Sequence, residues 1–149
     1  MTKITKKSPR RSWTRNQMGN PNLMQNGAVT SGWYITVGGD HIYLGSETAS
    51  SSSYVETVGV AVGNDVWHMV TCVWDGTNAF IYIDGSQVAI TGTFSAPASS
   101  AYSLVMGLDS SGANRLDGQI WLTQIWGSAL SPTDIANLYF QQVNGIQWP

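Results

Sequence analysis

The stretch WDGTNAFIYIDG, Trp74 to Gly85, places Asp75-Gly76 and Asp84-Gly85 at the two ends of a short apolar run. Two carboxylates this close in sequence fit three chemistries: a general acid and base, hard oxygen ligands for a cation, or two turns using residues that tolerate positive φ. A single extended strand between them separates the acids by about 25–30 Å. That distance excludes one shared catalytic pair, so the two Asp-Gly pairs read as hairpin reversals. His41 and His68 are the only imidazoles, and Glu47 and Glu56 the only glutamates, each isolated. His68 lies in an apolar run and reads as a packed, hydrogen-bonded histidine. No nucleophile-elbow motif is present to support a Ser–His–Asp arrangement. The loop GLDSSGANRLDG, Gly107 to Gly118, gathers Asp109, Asn114 and Asp117, joined in type by Asp40. It is either a calcium-binding rim loop or an ordinary polar connection.

Charge is sparse and segregated. Only 11% of the 149 residues are charged, against roughly 25% in an average soluble protein. Lys3, Lys6, Lys7, Arg10, Arg11 and Arg15 are six of the seven bases, and no acid precedes Asp40; beyond residue 15, Arg115 stands alone against nine acids. The expected organisation is a basic, irregular N-terminal arm over residues 1–31 and a folded acidic body over 32–149. The arm, with Trp13 among its charges, is either a solvated tail or a segment docked on an acidic protein surface. A dedicated nucleic-acid role fits poorly, because the body is acidic and one aromatic alone interleaves with the bases. Cys72 is the only cysteine and sits in an apolar run, which excludes an internal disulfide and reads as a small buried hydrophobe. No apolar stretch has the length of a membrane span or of a signal-peptide core.

The elements that must position these groups are strands. β-rich runs near Trp33–Val37, His41–Gly45, Tyr54–Ala61, Trp67–Trp74, Ala79–Asp84, Gln87–Thr91, Ser103–Leu108 and Leu116–Trp126 alternate with Gly, Asp and Ser clusters. Asn16–Gly32, rich in Asn, Gln, Gly and Pro, reads as irregular. One helix is well signalled by ALSPTDIANLYFQQ: Ser131 caps it, Pro132 takes its first turn, and Asp134 completes a capping box. Ile135, Leu138 and Tyr139 then share a face. Many strands and one short helix predict an all-β, two-sheet sandwich with the helix packed on or beside it. In the run from Leu116, strict alternation puts Ile120, Leu122 and Gln124 on one face and Trp121, Thr123 and Ile125 on the other. Both faces are partly apolar, so this strand is expected to be covered on both sides.

WHMVTCVWDGTNAFIYIDGSQV resembles the central hairpin of laminin-G-like domains, members of the concanavalin A-like jelly rolls. LVMGLDSSGANRLDGQIWLTQIWGSALSPTDIANLY is similar to the family's closing pattern of strand, Asp-Gly turn, strand and helix. The likeness runs from Gly32 to Tyr139 and implies a jelly-roll β-sandwich; for function it is weak, since this fold hosts lectins, adhesion modules, glycosidases and structural proteins. Two departures stand out. The family's first Trp-bearing strand has only RRSWTRN around Trp13 as a counterpart, which implies a missing or reduced edge strand, open to pairing with another chain. The family's acidic pair is Trp121-Leu122 here, so no role of those acids carries over. The E-x-D-x-x-E strand of this fold's glycoside hydrolases is absent, and an enzyme is not expected.

Two functions follow from the resemblance and the charges. One is a non-catalytic structural protein, fixed to a larger assembly through Lys3, Lys6, Lys7, Arg10, Arg11, Trp13 and Arg15. Its concrete form is a decoration (cement) protein bound to a capsid protein, present in many copies on a virion surface and made in the host cytoplasm. The other is a lectin-like module acting at a cell surface or outside the cell, with Trp33, Tyr43, Tyr54 and Trp148 as glycan or interface aromatics. No cofactor is expected beyond candidate calcium at Asp109, Asn114 and Asp117, and no membrane insertion is expected.

Overall fold

Short alternating runs favour strands because every second side chain faces the same way, and the turn clusters between them let the chain reverse. The computed structural model describes residues 2–6, 22–28, 31–59, 62, 66–108 and 115–145. Among them are eleven strands and one helix: β1 Thr2–Lys6, β2 Asn22–Ala28, β3 Ser31–Gly38, β4 His41–Glu47, β5 Ser52–Thr57, β6 Trp67–Trp74, β7 Ala79–Ile83, β8 Ser86–Gln87, β9 Ile90–Thr93, β10 Leu104–Met106, β11 Gly118–Thr123 and α1 Pro132–Val143. They form two antiparallel sheets, ordered β11-β1-β6-β7-β8 and β10-β2-β3-β4-β5-β9. The expected all-β sandwich with one C-terminal helix is therefore the observed architecture.

The main core lies between the sheets. Val70 of β6, and Ile81 and Ile83 of β7, meet Val37, Ile42, Leu44 and Val55 from the facing sheet. The other face of the five-stranded sheet presents Met69, Val73 and Tyr82, which α1 covers with Ile135 and Leu138. Each such aliphatic side chain contributes about 1.5–3 kcal/mol by leaving water. The helix begins as its sequence predicts: the Ser131 side chain accepts from the Asp134 N–H, and Asp134 returns a bond to the Ser131 backbone.

The N-terminal segment departs from its expected irregularity. Thr2–Lys6 pairs with β11 on one side and with Trp67–Val70 of β6 on the other, and Ile4 is buried in the core. Asn22–Ala28 is likewise an inner strand, between β10 and β3. An expected arm over 1–31 thus supplies two internal strands, because long-range pairing satisfies backbone groups that local propensity leaves undecided. Trp13, on which the expectation of a reduced edge strand rests, lies outside the described residues. Among the described strands one edge of the five-stranded sheet is β11, which carries a bulge: the register with β1 shifts at Thr2/Lys3, and Leu122 adopts φ 55. Beyond that extra residue the alternation is broken. Trp121 and Leu122 are both exposed, so the expected cover on both faces of this strand is not found.

Candidate functional site

Away from the helix, the outer face of the six-stranded sheet carries an aromatic and carboxylate surface. Register sets it out in rows. Thr36, Tyr43 and Glu56 lie opposite one another across β3, β4 and β5; the next row is Tyr34, Gly45 and Tyr54, and beyond it Glu47 faces Ser52. The Tyr43 and Tyr54 rings are 5.8 Å apart between centroids and tilted by 58°. His41 follows at 6.5 Å from Tyr43, its Nδ1–H donating to the Thr57 carbonyl at 2.6 Å. Tyr54 is 47% exposed. Gly45 is what makes the middle row possible. A Cβ built on it would sit 1.9 Å from Cζ of Tyr34, so that ring lies across the bare backbone of its neighbour.

The electrostatics follow from this packing. Burial, then the nearby Glu47 carboxylate and Tyr54, push the Tyr34 hydroxyl above the usual phenol range. Burial likewise pushes Glu47 above the usual carboxylate range. The Thr36 hydroxyl is buried with no hydrogen-bond partner among the described residues. Such a face offers ring surfaces for C–H groups and carboxylates for hydroxyls.

Catalytic geometry is a different matter. The two glutamates, isolated in sequence, share this face but sit two rows apart. Their backbones are about 14 Å from each other, with the tyrosine row between. The acids of the Asp-Gly pairs do structural work. Asp75 Oδ1 accepts from the Thr77 and Asn78 N–H groups, which holds its carboxyl below the usual range. Asp84, at φ 51, accepts the Met69 N–H on Oδ1 at 2.8 Å and the His68 Nδ1–H on Oδ2 at 2.8 Å. His68 is thus the packed, bonded histidine its position suggests, and Asp84 ties the end of β7 to the start of β6. That clamp carried no sequence signal, because its two halves come from different strands.

The remaining sequence candidates fall elsewhere. Trp33 lies on the inner side of β3 and lines a cavity of about 330 Å³ between the sheets, apart from Tyr43 and Tyr54. Trp148 lies outside the described residues, as do Lys7, Arg10, Arg11, Trp13 and Arg15. Lys3 and Lys6 are within β1 rather than on a free arm. Of the three candidate calcium ligands Asp117 is described, exposed just before β11; Asp109 and Asn114 are not. Among the described residues, no three His, Cys, Asp or Glu side chains gather as a metal site. Cys72 is a free thiol, pushed up to about 12 by burial. No described helix is long and apolar enough to cross a membrane.

Sequence comparison with characterised proteins gives no match. Solved structures that share the fold include two toxin binding domains. The botulinum neurotoxin type G receptor binding domain superposes with a TM-score of 0.63 at 18% identity, over 95% of this chain and 37% of that one. A second structure of the serotype G binding domain gives 0.62 at 18% identity, over 95% and 35%. The chain therefore spans little more than a third of those domains. The family model of the concanavalin A-like lectin/glucanases superfamily, in its laminin-G-like form, matches residues 10–136. With most of its length inside that match and two antiparallel sheets to bear it out, the chain belongs to the concanavalin A-like lectin/glucanase superfamily.

Proposed function

We propose that the protein is a non-catalytic recognition module that binds neutral carbohydrate on the tyrosine face of its six-stranded sheet. The observation that carries this reading is the grouping of Tyr34, Tyr43 and Tyr54 between Glu47 and Glu56 on one sheet surface. Carboxylates accept from sugar hydroxyls, and they repel sialylated, sulfated or uronic glycans. The wide separation of the two glutamates supports binding without hydrolysis. The receptor binding domains among its structural neighbours accord with a recognition role.

A glycan array, run with and without calcium, is the direct test. Neutral glycans should bind and sialylated ones should not. Tyr43→Ala and Tyr54→Ala should each weaken binding about ten-fold, a loss of ~1.4 kcal/mol, with the fold retained. Binding unchanged in both variants would remove the face from consideration.

The second reading rests on charge. Six of the seven bases fall within residues 1–15 while the body is acidic. In that reading the basic segment anchors multiple copies of the sandwich to an acidic assembly, in concrete form a capsid, with the tyrosine face turned outward. Because Thr2–Lys6 is an internal strand, removing residues 1–15 would damage the fold as well as the anchor. Arg10→Glu with Arg11→Glu is the cleaner probe: loss of assembly binding with an unchanged melting temperature supports anchoring, and full binding rejects it.

A further inference from the structure

Register fixes where the two glutamates of the tyrosine face stand. Glu47 lies two residues beyond Gly45 on β4, and Glu56 two residues beyond Tyr54 on β5. Gly45 and Tyr54 are paired and their strands run antiparallel, so the carboxylates flank the middle row on opposite sides. Each is set back from that row by about 6.8 Å of backbone, and along the row they are offset by one strand, about 4.8 Å. Both positions between them have an aromatic floor. The Tyr34 ring lies across Gly45 on β4, and the Tyr54 ring stands on β5, 47% exposed. Tyr43 borders the row on the Glu56 side, its ring centroid 5.8 Å from that of Tyr54.

The charge of this surface has one sign. β3, β4, β5 and β9 contain no lysine or arginine. Glu47 is close enough to Tyr34 to oppose ionisation of its hydroxyl, and Tyr54 acts in the same direction. The Thr36 hydroxyl, on the row of Tyr43 and Glu56 in a residue 5% exposed, has no partner among the described residues. An ammonium placed on this face is attracted both by the carboxylates and by the ring faces.

We infer that the face selects amino sugars: it binds a β-1,4-linked glucosamine chain laid across the strands, with one unit on Tyr34 and the next on Tyr54. This rests on the carbohydrate reading above and adds the charge and linkage of the ligand. In such a chain consecutive sugars are turned over relative to each other, so their amino groups emerge at opposite edges. Each sugar also advances the chain by close to one strand spacing. The unit on Tyr34 therefore turns its ammonium toward Glu47, and the unit on Tyr54 turns its own toward Glu56. An extended lysine peptide alternates its charges too, but it advances only about 3.4 Å per residue and falls out of step with the two carboxylates. It also lacks the flat C–H surface that the rings accept.

Calorimetric titration of the full chain tests this with three ligands: the β-1,4-linked glucosamine hexamer, cellohexaose as its neutral counterpart, and hexalysine. In mildly acidic buffer, where glucosamine is an ammonium, the glucosamine hexamer should bind about ten-fold tighter than cellohexaose, the yield of two partly exposed ion pairs. Raising salt from about 0.05 M to about 0.5 M should remove most of that advantage. Glu47→Gln and Glu56→Gln should each weaken the glucosamine hexamer about three-fold more than cellohexaose. The inference is overturned, with the carbohydrate reading left standing, if cellohexaose binds as tightly as the glucosamine hexamer or if the advantage survives high salt. Hexalysine binding as tightly as the glucosamine hexamer also overturns it, because charge alone would then suffice. Binding of neither hexamer overturns both the inference and the carbohydrate reading.

Discussion

At the residue scale, two positions hold the architecture of the tyrosine face and its opposite sheet. Gly45 carries no positive-φ requirement; its need is for space, because the Tyr34 ring occupies the place of a Cβ. Gly45→Ala should destabilise the fold by about 1–3 kcal/mol and displace that ring. Adding Tyr34→Ala should recover part of the loss, a non-additivity measurable by urea denaturation of the double-mutant cycle. Asp84 serves two bonds from a left-handed backbone. Asp84→Ala should cost about 2–4 kcal/mol, and Asp84→Gly less, because glycine relieves the backbone while still losing both bonds. Tyr34 gives the face an alkaline limit. Its folded-state pKa is raised, first by burial, so the folded chain favours the neutral phenol. Stability from this residue is intact below about pH 10 and is lost as pH rises through the folded value. Tyr34→Phe should flatten that loss in an alkaline denaturation series.

At the scale of elements, α1 is the piece most completely specified by its own residues. Ser131→Ala removes the cap and should cost about 1 kcal/mol in chemical denaturation. Bonds from the Ser131 side chain and backbone hold the Asp134 carboxyl below its usual range. A depressed carboxylate contributes stability above its unfolded pKa and loses it as pH falls through the folded value. The denaturation midpoint should therefore drop below about pH 4, and less so in Asp134→Asn. The same reasoning separates what could be read in sequence from what could not. Trp67–Trp74 is a run of alternating, β-branched and aromatic residues stopped by Asp-Gly, and its observed limits are those its composition predicts. TKITK has one large apolar residue and NLMQNGA has no β-branched one; only partners many residues away make them strands. At Leu122 one extra residue shifted the alternation, and periodicity holds no record of a bulge. The tyrosines were visible as candidates, but their meeting on one surface, with Trp33 turned inward, depends on register.

At the scale of the whole molecule, the sandwich keeps its helix on one sheet and its aromatic, acidic surface on the other. The row that contains β1 joins segments far apart in the sequence. Ile4 packs in the central core, and Thr2–Lys6 bridges residues 67–70 and 118–123. Ile4→Asp should destabilise by several kcal/mol, since an unpaired carboxylate would enter the core; a cooperative thermal melt would register it. This link also sets an order of events during synthesis. β1 has no complete docking place until residue 123 has left the ribosome, so residues 2–6 stay without one of their two neighbours while the intervening chain is made. Folding of this sheet is a late step and a slow one, limited by bringing distant segments together. A product cut short before β11 would leave β1 without one of its two neighbours, and the quality control of the cell would meet it as an unfinished chain.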